Sequence, residues 1–190
     1  MNTKGKSHLF LIISVLLVVV LIIVMFYYFA LRAPDYTSLY ENRIKSGELV
    51  NPIEGKSIEE AIADFDDSFV LYILYMIKAY NLHNPPLSSN KPQIEFIIDE
   101  EVYSAVVDDG LISVQKRRID EKDAIIKMGR KEGVKIIRDP SYITKSFENG
   151  GSDIELVAEK STLFSKGYLN LYTEITGKSV TGNVVRIYTD

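Results

Sequence analysis

The chain contains no cysteine and only two histidines, His8 and His83. That removes disulfides, thiolate catalysis and cysteine-ligated zinc, and leaves too few imidazoles for a histidine-based metal site. No Asn-x-Ser/Thr sequon occurs, nor a His-Glu-x-x-His pair, Walker loop, nucleophile elbow or dinucleotide fingerprint. Gly150-Gly151 lacks the spacing of a phosphate loop and reads as a turn. Basic charge is also scarce. Twenty-two Lys and Arg against 26 Asp and Glu give a net charge of −4, the wrong sign for a general nucleic-acid binder. With few convergent polar groups to tune, the chain reads as non-enzymatic, with no cofactor and no metal.

What the chain has in excess is a single apolar run. Leu9 to Leu31 is 23 residues without a charge. As a helix rising ~1.5 Å per residue it is about 35 Å long, enough to cross a hydrocarbon core of roughly 30 Å. Phe26, Tyr27, Tyr28 and Phe29 form an interfacial aromatic belt closed by Arg32. A cleaved secretory signal would have an apolar region of only ~7–15 residues ending in a small-x-small site. This run is longer, and Tyr28 before Ala30 fits such a site badly, so a retained single-pass anchor is expected in the cell membrane. Lys4 and Lys6 flank one end and Arg32, Arg43 and Lys45 the other. The shorter N-terminal flank packs its charge more densely, which favours a cytoplasmic N-terminus and an extracytoplasmic domain.

The predicted organisation is a flank (1–8), a transmembrane helix (9–31), a linker or stalk with Pro34, Gly47, Pro52 and Gly55 (32–56), an α+β domain (57–177), and a tail or edge strand (178–190). Ser57 with Glu60 is a capping-box pattern opening a helix through Tyr80. Its second half, Phe69 to Ile77, is apolar all round, so it is either buried in protein or held against a partner. Strand patterns follow at Gln93–Asp99, Val102–Val107, Leu111–Lys116, Asp123–Met128 and Ile154–Ala158. Helices are expected at 130–138, from Asp139-Pro140 through Phe147, and at 161–175. The last of these carries Gly167 inside it. The sum is an α+β fold, an about five-stranded, mainly antiparallel sheet covered by helices and preceded by one transmembrane helix.

Residues 93–177 resemble the sterol-carrier-protein-like lipid-binding family. The resemblance is carried by the hairpin Val106-Val107-Asp108-Asp109-Gly110-Leu111-Ile112-Ser113-Val114, by Lys122-Asp123-Ala124-Ile125-Ile126-Lys127-Met128, and by Asp153-Ile154-Glu155-Leu156-Val157-Ala158 with Leu163-Phe164-Ser165-Lys166-Gly167-Tyr168-Leu169. It covers under half of the chain. It implies a five-stranded sheet whose helices enclose an apolar tunnel for a lipid or other apolar ligand. The lining it implies is Phe96, Ile98, Val106, Ile112, Val114, Ile126, Ile143, Phe147, Leu163 and Leu171. On residue type alone the same side chains are also what an ordinary core looks like.

Two charged features remain. Glu60, Asp64 and Asp67 share a helix face that would suit either a loosely held cation or, more simply, a solvated acidic helix start. Between Lys116 and Arg138 stand nine basic and four acidic residues, a local excess of +5. Within it Arg117, Arg118, Arg130, Lys131 and Lys135 are candidate contacts for anionic head groups of the bilayer. The alternative is a charged outer face in solvent. Two functions are therefore carried forward: a membrane-anchored, non-enzymatic lipid-binding domain, or an assembly module holding a membrane protein partner.

Overall fold

A computed structural model describes residues 12–25, 36–85 and 88–179. The chain divides into two units, 1–33 and 34–190. In the first unit, residues 12–25 form helix α1, exposed along its whole length, with Leu16 and Ile22 at 60% and 61%. Among the described residues no helix is long and apolar enough to cross a membrane. The described stretch of α1 is shorter than the predicted 9–31 span, whose ends at 9–11 and 26–31 lie outside the described residues. The candidate tail strand at 184–188 lies outside them too.

The second unit opens with α2 (Thr37–Lys45), where the sequence suggested an irregular stalk. Its amphipathic signal is weak, and its order comes from tertiary contacts instead. Tyr40 stacks between Tyr75 and Tyr80, at 5.8 and 5.4 Å between centroids. Arg43 donates to the Tyr75 hydroxyl and lies 5.4 Å over that ring. Leu49 and Ile53, further along the expected stalk, are buried in the core.

The predicted helix 57–80 is two helices, α3 (Ile58–Ala63) and α4 (Asp67–Met76). Ser57 and Glu60 form the expected capping box. The break comes from the acidic run itself. Asp66 is extended and its carboxylate accepts from Ser68 N–H at 3.0 Å, which starts a new helix rather than continuing the old one. Phe69, Val70, Ile73, Leu74 and Tyr75 of α4 are then buried in their own domain. A short 3₁₀ turn, Ala79–Asn81, follows.

The strands are β1 (Gln93–Ile98), β2 (Glu101–Asp108), β3 (Leu111–Gln115), β4 (Ala124–Met128) and β5 (Ser152–Leu156). The β2–β3 turn places both Asp109 and Gly110 at positive φ (47° and 80°), the primed-turn geometry that an Asp-Gly pair favours. The order is β3-β2-β1-β4-β5, with β1 and β4 parallel and the other three pairings antiparallel. The sheet is therefore mixed. Two hairpins carry the chain to the β3 edge, and it must return across the sheet to pair β4 with the far side of β1. Residues 116–123 make that crossing, and Lys122 on the way pairs with the buried Glu95 at 2.9 Å.

Strand alternation and register put Ile94, Phe96, Ile98, Tyr103, Ala105, Val107, Ile112, Ala124, Ile126, Ile154 and Leu156 on one face, all buried. Helices pack on that face: α3, α4, α5 (Arg130–Arg138), α6 (Ile143–Glu148), α7 (Lys160–Ser165) and α8 (Tyr168–Thr176). The helix expected from Asp139 begins as a 3₁₀ turn, Pro140–Tyr142, capped by Asp139. The expected helix 161–175 is two, because Gly167 adopts φ +86° between α7 and α8.

Candidate functional site

A cavity of about 260 Å³ opens between the C-terminal end of α4, the start of α6 and the C-terminal end of α8. Its walls are Met76, Ile77, Pro140, Ile143 and Ile175, with Lys78, Thr144 and Glu174 as the polar members. Local sequence places each group. Lys78 ends α4 in a left-handed conformation, φ +61°, which for a residue with a Cβ costs on the order of 1–2 kcal/mol. Pro140 fits the first position of its turn because it has no N–H to satisfy there. On α8 the inward stripe Leu171, Tyr172 and Ile175 is buried, leaving Glu174 at the surface, where it forms an ion pair with Lys78. Both partners stay about half exposed, so this pair is a polar mouth above an apolar floor.

The ten lining positions implied by the resemblance are not brought together at this cavity. Only Ile143 borders it. Phe96, Ile98, Ile112, Ile126, Phe147, Leu163 and Leu171 sit in the buried core, with Val114 partly buried against it. Val106 pairs with Gln93 and Ser113, which puts it on the opposite face of the sheet from Phe96.

The basic candidates do not form one free patch either. Arg130 pairs with Asp99 at 3.7 Å and Glu101 at 3.1 Å, and Lys135 with Glu132 at 3.1 Å. Arg117, Arg118 and Lys131 are exposed. Glu101 also accepts from Lys116 and from the Tyr103 hydroxyl, and these bonds hold its carboxyl below the usual range. The same cluster pushes the Tyr103 phenol up, burial first and the Glu101 bond second.

A second polar constellation, which the sequence did not signal, lies at the opposite end of the sheet. Lys166 is buried in the turn between α7 and α8. Its ammonium donates to both Asp123 oxygens at 2.9 Å, to Asn90 Oδ1 at 3.0 Å and to the Lys91 carbonyl at 3.0 Å. Asp123 also accepts from Gln93 N–H at 2.8 Å and from the Tyr168 hydroxyl at 3.1 Å. Burial, and then the adjacent Asp123 charge, hold the Tyr168 phenol well above its ordinary range. Each donor of the ammonium has an acceptor and the node is sealed from solvent, so it fastens the α7–α8 turn to the sheet end. Among the described residues no group of three or more acidic, histidine or cysteine side chains is arranged to hold a metal ion.

Comparison with known proteins gives little beyond this geometry. No family model matches the chain, and no curated protein matches it. Among solved structures, a stereoselective inverting sec-alkylsulfatase, Pisa1 from Pseudomonas sp., overlaps 40% of this chain and 12% of its own, at 10% identity and TM-score 0.31. Sterol Carrier Protein 2 Like 2 from Aedes aegypti overlaps 49% of this chain and 89% of its own, at 12% identity and TM-score 0.30. This chain thus spans about an eighth of the sulfatase's length. Scores this low carry no functional argument, and the site has to be read from its own residues.

Proposed function

We propose that the 34–179 region is a non-enzymatic domain that binds a lipid or another apolar ligand, of the sterol-carrier-like kind, and that 9–31 tethers it to a membrane on the exported side. One observation carries the binding reading: the 260 Å³ cavity with apolar walls and an ionic mouth. Apolar concavities with a few placed polar groups are the usual form of small-ligand sites. The tether is supported by α1, whose apolar side chains are exposed on every side, as expected of a helix whose surroundings are not water. The assembly reading is weaker, because the greasy second half of α4 that it would use packs into its own domain. Exposed Arg117, Arg118 and Lys131 would add contacts to anionic head groups, worth ~1 kcal/mol each near the surface.

The test is to purify the full chain in an amphipathic polymer and identify bound small molecules by mass spectrometry, beside Ile143→Trp, which fills the cavity. Ligand recovered with the native chain and lost from the variant supports the proposal. A folded native chain carrying nothing, and taking up no added apolar ligand, overturns it. For the tether, deletion of 9–31 should release the protein from membranes. Retention in the membrane pellet would sink that part.

A further inference from the structure

We propose that the cavity between α4, α6 and α8 selects a neutral, single-chain amphiphile, such as a medium-chain alcohol or monoacylglycerol, over the corresponding carboxylate. This rests on the ligand-binding reading above and adds the chemical class. Size comes first. At about 30 Å³ for each water-sized group, 260 Å³ holds roughly eight or nine such groups. That matches one short alkyl tail. It is too little for the fused rings of a sterol or the paired chains of a phospholipid.

The mouth then sets the head group. Lys78 and Glu174 form an ion pair across it, and Thr144 lies beside them in the lining. The pair has no net charge, offers a donor and an acceptor within reach of each other, and is fixed from two separate elements. A hydroxyl head can donate to the Glu174 carboxylate while accepting from Lys78. A carboxylate head can satisfy only Lys78, must compete with Glu174 for it, and brings a like charge close to Glu174. Discrimination of this kind is built by an unfavourable contact with the wrong ligand as much as by a good one with the right ligand. The strained left-handed backbone at Lys78 fits the same account, since such conformations concentrate where a side chain must be held in place.

The experiment uses the full chain in an amphipathic polymer, with two photoreactive probes of equal length, one derived from 1-octanol and one from octanoate. Both carry a diazirine at the tail end, and labelled peptides are located by mass spectrometry at pH 8. The expected result is saturable octanol labelling of peptides containing Met76 or Ile143, with at least ten-fold weaker labelling by octanoate. Glu174→Gln, a change at a half-exposed position, should raise octanoate labelling several-fold. Octanoate labelling equal to or stronger than octanol overturns the selectivity while leaving the binding reading intact. So does a preference that Glu174→Gln fails to move. Labelling by neither probe overturns both.

Discussion

Replacing Lys166 with Met keeps most of the aliphatic stem and deletes the ammonium. The native group makes four hydrogen bonds, two of them to Asp123. Afterwards Asp123 Oδ2 keeps Gln93 N–H and the Tyr168 hydroxyl, while Oδ1 loses the ammonium and has no other donor among the described residues. Asn90 Oδ1 and the Lys91 carbonyl each lose a donor as well. Removing one partner of a buried ion pair costs about 3–5 kcal/mol, a large share of the roughly 5–15 kcal/mol that holds a typical domain. Urea denaturation of the full chain at pH 7 should show that loss. The pH dependence supplies the sharper check. Without its cation, Asp123 prefers to be protonated, so its folded pKa rises above the unfolded value of about 3.9. The deficit relative to the native chain should therefore narrow as pH falls toward 4. The double change Lys166→Met with Asp123→Leu should destabilise less than the two single changes added together. A single variant within 1 kcal/mol of native at pH 7, or a deficit independent of pH, would refute the reasoning.

Three further outcomes are expected. Gly133→Ala on α5 builds a Cβ 3.0 Å from both Ile73 and Phe65, and it should cost about 1–3 kcal/mol by overpacking, read as a lowered urea midpoint. Tyr75→Phe strands Arg43 and the Ile112 N–H, which now bond its hydroxyl, so a loss of about 1–3 kcal/mol and faster hydrogen exchange at Ile112 should follow. Because Lys116 and then Tyr103 hold Glu101 low, its stabilisation is full above the unfolded glutamate pKa near 4.3 and is lost as pH falls. Tyr168, held high, contributes fully below about pH 10 and loses its contribution above that. Glu101→Gln should flatten the acid limb of a stability–pH profile and Tyr168→Phe the alkaline limb; unchanged limbs would contradict the assignments.

The strands were legible because each is a short β-branched run between turn signals, and a turn such as Asp109-Gly110 announces itself by residue type. Helix α5 was legible for a similar reason, with Val134, Ile136 and Ile137 turned inward from a charged segment. Continuity of helices was harder to read. Asp66 and Gly167 each break an apolar pattern that runs on past them, and periodicity alone does not see the break. Helix α2 was missed because tyrosines and an arginine order it from outside, through rings on α4 and the turn after it. Lys166 was missed because a buried lysine looks like any other in sequence, and its partners lie 43 to 76 positions away. The cavity has the same character. Its lining comes from three helix ends far apart in the chain, each too short to leave a pattern.

The binding claim meets its most direct test in methyl NMR of the full chain titrated with 1-octanol. Saturable shifts centred on the methyl groups of Met76, Ile77, Ile143 and Ile175, with little change at core positions such as Ile126, are the predicted result. Shifts that never saturate, or that spread evenly over the whole domain, would contradict it.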